Sequence, residues 1–431
     1  MSSTSSRAAS SRRDFLKTSA ALSAATFAIG SARAQAQQGG EVLRVGLIGC
    51  GGRGTGAARQ ALAADPNAQL VALGDAFPDQ VESALNKLKS AEPEIASRVV
   101  VDPEHMFSGF DNYLNVIASC DVVLLAAPPA FRPQHLRAAV ESGKHVFCEK
   151  PVAVDAVGVR SVRESSEMAK AKNLNLVTGL CYRYERKKQD TIKRIHDGAI
   201  GDILSLQTSY NTGGLWHRGD DPKWSRMEYQ MRNWLYFTWL SGDHINEQHI
   251  HSLDKIAWCM GNEYPAKATA SGGRVVRVDP MYGNIYDHFN TTYEWANGVK
   301  CFSSCRQWPS TSTDVSDHLI GTKGSAHLME HTIQVRGGDT WTWNGEEPDD
   351  MYQNEHNALF AAIRKGDVIN DGEIMCNSTL MAIMGRMSAY TGQTLTWEQV
   401  SNSQLDLFPK RQEWYDIETP PIAVPGETEF V

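Results

Sequence analysis

Leu43-Arg44-Val45-Gly46-Leu47-Ile48-Gly49-Cys50-Gly51-Gly52-Arg53-Gly54 reads as a buried strand running into a glycine-rich turn. Gly49, Gly51 and Gly54 keep the G-x-G-x-x-G spacing. The first glycine permits the tight turn and the second lets backbone approach a pyrophosphate. The third lets the next helix pack close, with its N-terminus facing the phosphates. Cys50, Gly52 and Arg53 complete the loop and join the candidate cofactor contacts. Alone the spacing is a weak signal, but a strand precedes it and a helical run, Ala57 to Ala64, follows. A second apolar strand, Gln69 to Gly74, ends in Asp75, about twenty residues past Gly54, where an acid hydrogen-bonds an adenosine ribose. A carboxylate there repels a 2′-phosphate, so the expected cofactor is NAD.

Outward from that loop, apolar strands and helices alternate. Strands are expected at Leu43–Gly49, Leu70–Asp75, Val99–Val101, Val122–Ala126, His145–Cys148 and Leu174–Gly179, with a helix over 155–172. This is the pattern of an α/β, doubly wound parallel sheet, a Rossmann domain over residues 42–180. The texture then changes. Ile203 to Tyr210 alternates as a strand, Thr291 to Gln307 reads as a hairpin turning at Asn297-Gly298, and His318 to Arg336 supplies more strand. With a helix over Gly242–Met260, residues 181–350 are expected to form an α+β substrate and oligomerisation domain on a large, mostly antiparallel open sheet. Helices return over 352–391, and residues 400–431 form a proline-rich tail with no clear element.

Residues 211–240 hold Trp216, Trp224, Trp234, Trp239, Tyr229 and Tyr236 with three arginines. They are either a surface excursion packed on the second domain or a long loop walling the substrate cleft. Loops of this length in compact domains are usually functional or disordered, and the aromatic content argues against disorder.

Glu149-Lys150-Pro151, at the end of the fifth strand, resembles the E-K-P motif of the Gfo/Idh/MocA family, the glucose–fructose oxidoreductase and inositol dehydrogenase group. Ala126-Ala-Pro128-Pro129 stands where that family has a T-P-N-like turn beside the nicotinamide. Ser241-Gly242 opens a helix carrying Glu247, His251 and Asp254, similar to G-G-x(4)-D-x(3)-H-x-x-D. Ile320-Gly-Thr-Lys-Gly324 is similar to I-x-G-x-x-G. The resemblance covers residues 42 to 395 in order. It implies that Lys150 and His251 between them supply the base and the alkoxide-holding group that hydride transfer from an alcohol needs. Glu247, where the family usually has Asp, would orient the imidazole or bind a sugar hydroxyl. Cofactor contacts are then expected from Pro128, Pro129, Arg132, Glu149 and Lys150. Substrate contacts are expected from Tyr182, Arg183, Tyr184, Trp234, His244, Glu247 and His251. His244, Glu247, Gln248 and His251 lie on one stripe and invite a metal reading, but neither H-E-x-x-H nor H-x-x-E-H is present, and no metal is expected. His249 points away from the stripe and reads as a satisfied histidine.

At the other end, Ser11-Arg12-Arg13-Asp14-Phe15-Leu16-Lys17 matches a twin-arginine signal, followed by an alanine-rich apolar stretch and a small-residue cleavage site before residue 36. The expected location is periplasmic or extracellular, with no stable membrane insertion once the signal is cleaved. Roughly 395 residues then remain of 431, enough for two full cores. Folding before export argues against obligatory disulfides among the eight cysteines. Cys301 and Cys305, four apart on one strand, lie too far apart to bridge. The net charge of −8 carries no nucleic-acid footprint. Eleven tryptophans and thirteen tyrosines suit stacking on carbohydrate. Three functions follow. The first is an exported oxidoreductase with tightly held NAD, acting on a sugar, polyol or sugar derivative. The second is an NAD-dependent glycoside hydrolase or lyase working by transient oxidation. The third is a non-catalytic sugar-binding protein with structural NAD. The resemblance also implies a homo-oligomer, dimer or tetramer.

Overall fold

The computed structural model describes residues 40–345 and 347–431. The export reading rests on residues 1–36, which lie outside the described residues.

The first domain runs β1 (Leu43–Ile48), α1 (Gly52–Ala64), β2 (Ala68–Asp75), α2 (Pro78–Lys89), β3 (Met106–Ser108), α3 (Asn112–Ser119), β4 (Val122–Leu125), α4 (Arg132–Glu141), β5 (His145–Cys148), α5 (Ala156–Ala171) and β6 (Leu176–Thr178). β4 is buried at every position, as a parallel strand covered on both faces requires. The strand order is β3-β2-β1-β4-β5-β6. It reverses between β1 and β4, and the crevice beyond the carboxyl ends there is where such sheets bind ligands. The third strand is not Val99–Val101. Val99 makes only an isolated bridge to Leu70, and Val100 is exposed. Pro103 has no N–H to give a ladder and starts a 3-10 turn, so pairing resumes at Met106 beside Leu73.

The second domain contributes α6 (Arg186–His196), β7 (Ile203–Thr212), α7 (Arg226–Arg232) and α8 (Ile250–Cys259). The strands β8 (Lys267–Gly273), β9 (His288–Glu294), β10 (Lys300–Gln307), β11 (Asp314–Gly321), β12 (Gly324–His327), β13 (Thr332–Val335) and β14 (Thr340–Thr342) follow. α9 (Met351–Lys365) packs back on α1, α10 (Gly372–Thr391) packs on α5 and β8, and β15 (Leu395–Thr396) closes the sheet edge. The sheet order is β14-β13-β12-β11-β7-β10-β9-β8-β15, antiparallel except for the β7–β10 pair. β9 and β10 form the expected hairpin, with Glu294 opposite Lys300 and Gly298 at φ +85° in the turn.

The helix expected over Gly242–Met260 is broken into His244–Glu247 and α8, and a separate short helix, Thr238–Ser241, precedes it. Gly242 and Asp243 both take positive φ, +73° and +70°. The Asp243 carboxylate holds its own strained backbone by accepting from the Tyr286 N–H (2.7 Å) and the Tyr390 hydroxyl (2.6 Å). One buried cluster includes Val152–Val154, Leu253 and Leu380–Met384, so both domains share a core. Among the described residues, no helix is long and apolar enough to cross a membrane.

Candidate active site

The loop after β1 is shaped by contact. Gly49 has φ +94°, and a Cβ there would lie 2.3 Å from the Ala127 nitrogen. A Cβ on Gly54 would lie 1.9 Å from the Gly49 oxygen. Gly51 is different, since a Cβ there would meet nothing within 4 Å and would project into the cleft. α1 carries no side-chain cap, so its first N–H groups remain available to an anion. The cleft encloses about 770 Å³ and is lined by Gly49, Gly51–Gly54, Asp75, Phe77 and Pro128. That volume suits a cofactor. These residues fit a dinucleotide, with the phosphates at Gly51 and Gly52 and the adenosine ribose at Asp75. Cys50 itself is buried; its backbone N–H donates to Asp75 (2.7 Å), whose other oxygen accepts from the Phe77 N–H (3.0 Å). Burial outweighs these two bonds and pushes the Asp75 carboxyl up to about 6.

Two arginines expected at the cofactor brace the site from behind. Arg53 lines the cleft, but its guanidinium bonds Glu149, Glu355 and Gln60 and lies over the Tyr352 ring at 5.0 Å. Arg132 is buried and donates to the Pro151 carbonyl, holding the turn that carries Lys150. Glu149 accepts from the Lys150 N–H at 3.0 Å. A Cβ on Gly179 would press on its carboxylate at 2.7 Å. Pro128 lines the cleft, whereas Pro129 is buried at the start of a 3-10 turn.

At the reaction end, Lys150 Nζ donates to the Glu247 carbonyl (2.6 Å) and to Glu247 Oε1 (3.0 Å). The helix break makes the first bond possible, because Glu247 ends its short helix and its carbonyl is free to accept. His251 sits in the first turn of α8 with its ring edge-on to Tyr182, centroids 5.5 Å apart, and its Nδ1 is buried without a partner. Burial holds its pKa well below the usual imidazole value, and the charges of Lys150, Lys255 and Arg53 lower it further. A neutral imidazole is the form that can take a proton. Behind Tyr182, Lys255 lies 4.4 Å from the ring centroid and pairs with Asp317 at 2.5 Å, both fully buried. Tyr210, at the end of β7, was not foreseen as a site residue; burial and the nearby Glu247 charge push its phenol up to about 12. Its only sequence signal was the inward phase of a strand that runs two residues longer than expected.

Several expected substrate contacts are engaged elsewhere. Arg183 forks onto Asp254 (2.8 and 2.9 Å) and reaches Asn262. The Tyr184 hydroxyl donates to Asp371 at 2.6 Å. His244 is a core residue, bonded to Asp243 (2.9 Å) and Cys305 (3.5 Å) and packed on Phe289. His249 bonds the Ser303 hydroxyl at 2.6 Å. Trp234 belongs to the nucleotide cleft, as do Trp216, Arg218, Trp224 and Arg232, so the aromatic stretch walls the cofactor. All eight cysteines are buried and free, Cys301 and Cys305 included. No cluster of three metal-ligating side chains occurs among the described residues.

Fold and site together define a two-domain nicotinamide-nucleotide oxidoreductase. Residues 43–180 match the oxidoreductase family with an NAD-binding Rossmann fold, Gfo/Idh/MocA, and residues 189–327 match the Gfo/Idh/MocA C-terminal domain. The matches together span more than half of the chain, which belongs to this family; its cofactor is NAD. A 2,7-anhydro-N-acetylneuraminate hydratase of Escherichia coli (strain K12) is 30% identical over 219 residues, 49% of this chain and 52% of the hydratase. The match thus spans about half of that relative's length. An inositol 2-dehydrogenase of Rhizobium meliloti (strain 1021) is 25% identical over 345 residues, 77% of this chain and 92% of that protein. The aldose-aldose oxidoreductase from Caulobacter crescentus superposes with a TM-score of 0.64 at 19% identity, covering 83% of this chain and 100% of that one, a likeness of fold.

Proposed function

We propose that this chain is an exported oxidoreductase that acts on a sugar, polyol or sugar derivative with a tightly held NAD. The observation that carries the reading is the meeting of Lys150, from the first domain, with Glu247 and His251, from the second, at the carboxyl end of β5. When bound, NAD supplies the acceptor for hydride from a carbinol carbon. The Lys150 ammonium holds the oxygen as negative charge grows, Glu247 fixes that ammonium, and neutral His251 accepts the hydroxyl proton. Tyr182 and Tyr210 offer ring surface for a sugar. The named activities of the inositol dehydrogenase and aldose-aldose oxidoreductase relatives support a polyol or sugar. The twin-arginine sequence supports export. Phe302 and Ile320, each 53% exposed on the outer face of the nine-stranded sheet, support a homo-oligomer, checked by its mass in light scattering.

A redox-neutral hydratase, glycosidase or lyase is the second reading, favoured by the hydratase relative and by export to a place where released NADH is hard to reoxidise. Incubating the purified protein with polyols, aldoses and glycosides, while following reduced-nicotinamide absorbance and aglycone release, separates the two. Silence of both readouts across all three classes, with every sugar and polyol recovered unchanged, would overturn the carbohydrate assignment.

A further inference from the structure

The adenosine half of the cleft is closed by residues that lie outside the Rossmann domain. Phe77 follows Asp75 and lines the cleft with Asp79. The Arg232 guanidinium, from α7 in the second domain, lies 4.0 Å from the Phe77 ring centroid and 4.9 Å from that of Trp224. The same guanidinium forks onto Asp79, at 3.1 and 3.2 Å, and its Nε donates to Glu228 at 2.9 Å. Trp414, from the C-terminal tail, stacks on Phe77 at 5.4 Å and tilts against Phe110 at 4.7 Å. Trp224, Arg232, Phe77 and Trp414 therefore form one column from three distant segments.

The tail is tied down on both sides of this column. Upstream, the Leu407 N–H donates to Asp155 (2.8 Å), and Phe408 meets Phe131 edge-on at 5.4 Å. Downstream, the Tyr415 carbonyl accepts from the Met227 N–H (3.0 Å), and Asp416 accepts from the Arg226 N–H (2.9 Å). The Asp79–Arg232 pair lines this cleft, and Arg232 reaches the tail through Phe77 and Trp414, so loosening any of these contacts would loosen the wall over a bound nucleotide. Binding energy changes of this kind appear mostly in the dissociation rate.

We propose that Arg232 and Trp414 are cofactor-retaining residues: with Asp79 and Phe77 they form a clasp over the adenosine of NAD, so that the dinucleotide stays through many turnovers. This rests on the assignment of the cleft to NAD, and its test separates the two claims. The full chain is loaded with carbonyl-labelled NAD, chased with excess unlabelled NAD, and sampled by gel filtration. The native chain should lose label slowly. Asp79→Asn, Arg232→Met and Trp414→Ala should each lose it about tenfold faster or more, while Arg232→Lys and Trp414→Phe stay near native. Melting curves confirm that each variant is folded; Asp79→Asn, which removes only a charge at a partly open position, covers the case in which the other two are not. Loss of label from the native chain within the mixing time, or native rates in the folded variants, would overturn the clasp. A native chain that takes up no label, and from which denaturation releases no nicotinamide nucleotide, would strike the cofactor assignment instead.

Discussion

Asp75, placed to meet the adenosine ribose, is the side chain through which cofactor choice would depend on pH. Its carboxyl titrates at about 6 in the folded chain, above the ordinary value of 3.8. It is therefore charged above pH 6 and neutral below. Only the charged form repels a 2′-phosphate. The preference for NAD over NADP should be widest near neutrality and shrink as pH falls through about 6. The ratio of dissociation constants, measured on either side of that value, checks this; a ratio flat in native protein but altered in Asp75→Asn would contradict it. A raised acid pKa also means that this group favours the fold most below the ordinary carboxyl value and that the contribution is lost as pH rises through 6. At the reaction end, Lys150→Ala and His251→Ala should each lower turnover by about 10²–10⁴-fold with NAD affinity nearly intact. Their effects should not multiply in the double variant if both act on one hydroxyl. Because His251 is held neutral, the acid limb of the rate profile should fall below the ordinary imidazole range. An acid limb at 6.5 that disappears in His251→Ala would contradict that.

At the scale of elements, the sequence announced what local chemistry dictates. The strand, the glycine turn and the acid after β2 are one contiguous pattern, and E-K-P sits at a strand end for the same reason. Arg183 and Tyr184 sit away from the expected substrate site because tertiary packing, which no spacing reveals, chooses their partners Asp254 and Asp371, and His244 because its ring packs on distant Cys305 and Phe289. The break after Glu247, inside the helix expected over Gly242–Met260, is hidden for a similar reason. The distant Tyr286 and Tyr390 hold Asp243 at positive φ at its start. The aromatic content of 211–240 signalled packing but not which cleft it would wall. Behind Tyr182, α8 and β11 are joined by the buried Lys255–Asp317 pair. Breaking a buried pair leaves an uncompensated charge and costs about 3–5 kcal/mol. Lys255→Met should therefore lower stability strongly, while Lys255→Met with Asp317→Leu should recover much of the loss. Denaturant midpoints test this; a double variant as unstable as the single one would show that Thr208, which donates to Asp317 at 2.6 Å, or local packing carries the cost.

For the molecule as a whole, the reacting groups come from two domains that share one core, and segments from both line the cleft that fits a nucleotide. An enzyme built this way can complete oxidation and reduction without letting its cofactor go. On the proposed export such closure would serve a purpose, since a folded, loaded enzyme would arrive where free NAD is scarce. A closed cycle makes a demand on isotopes that a plain dehydrogenase does not meet. With substrate deuterated at the oxidised carbon, the product should carry the deuterium back, and reduced-nicotinamide absorbance should not accumulate over many turnovers. His251→Ala should slow the return of label and product formation together, because the same imidazole that accepts the hydroxyl proton must give it back when the carbonyl is reduced. Stoichiometric appearance of reduced nicotinamide, with deuterium absent from the product, would instead establish a dehydrogenase that depends on an external acceptor for the next turnover.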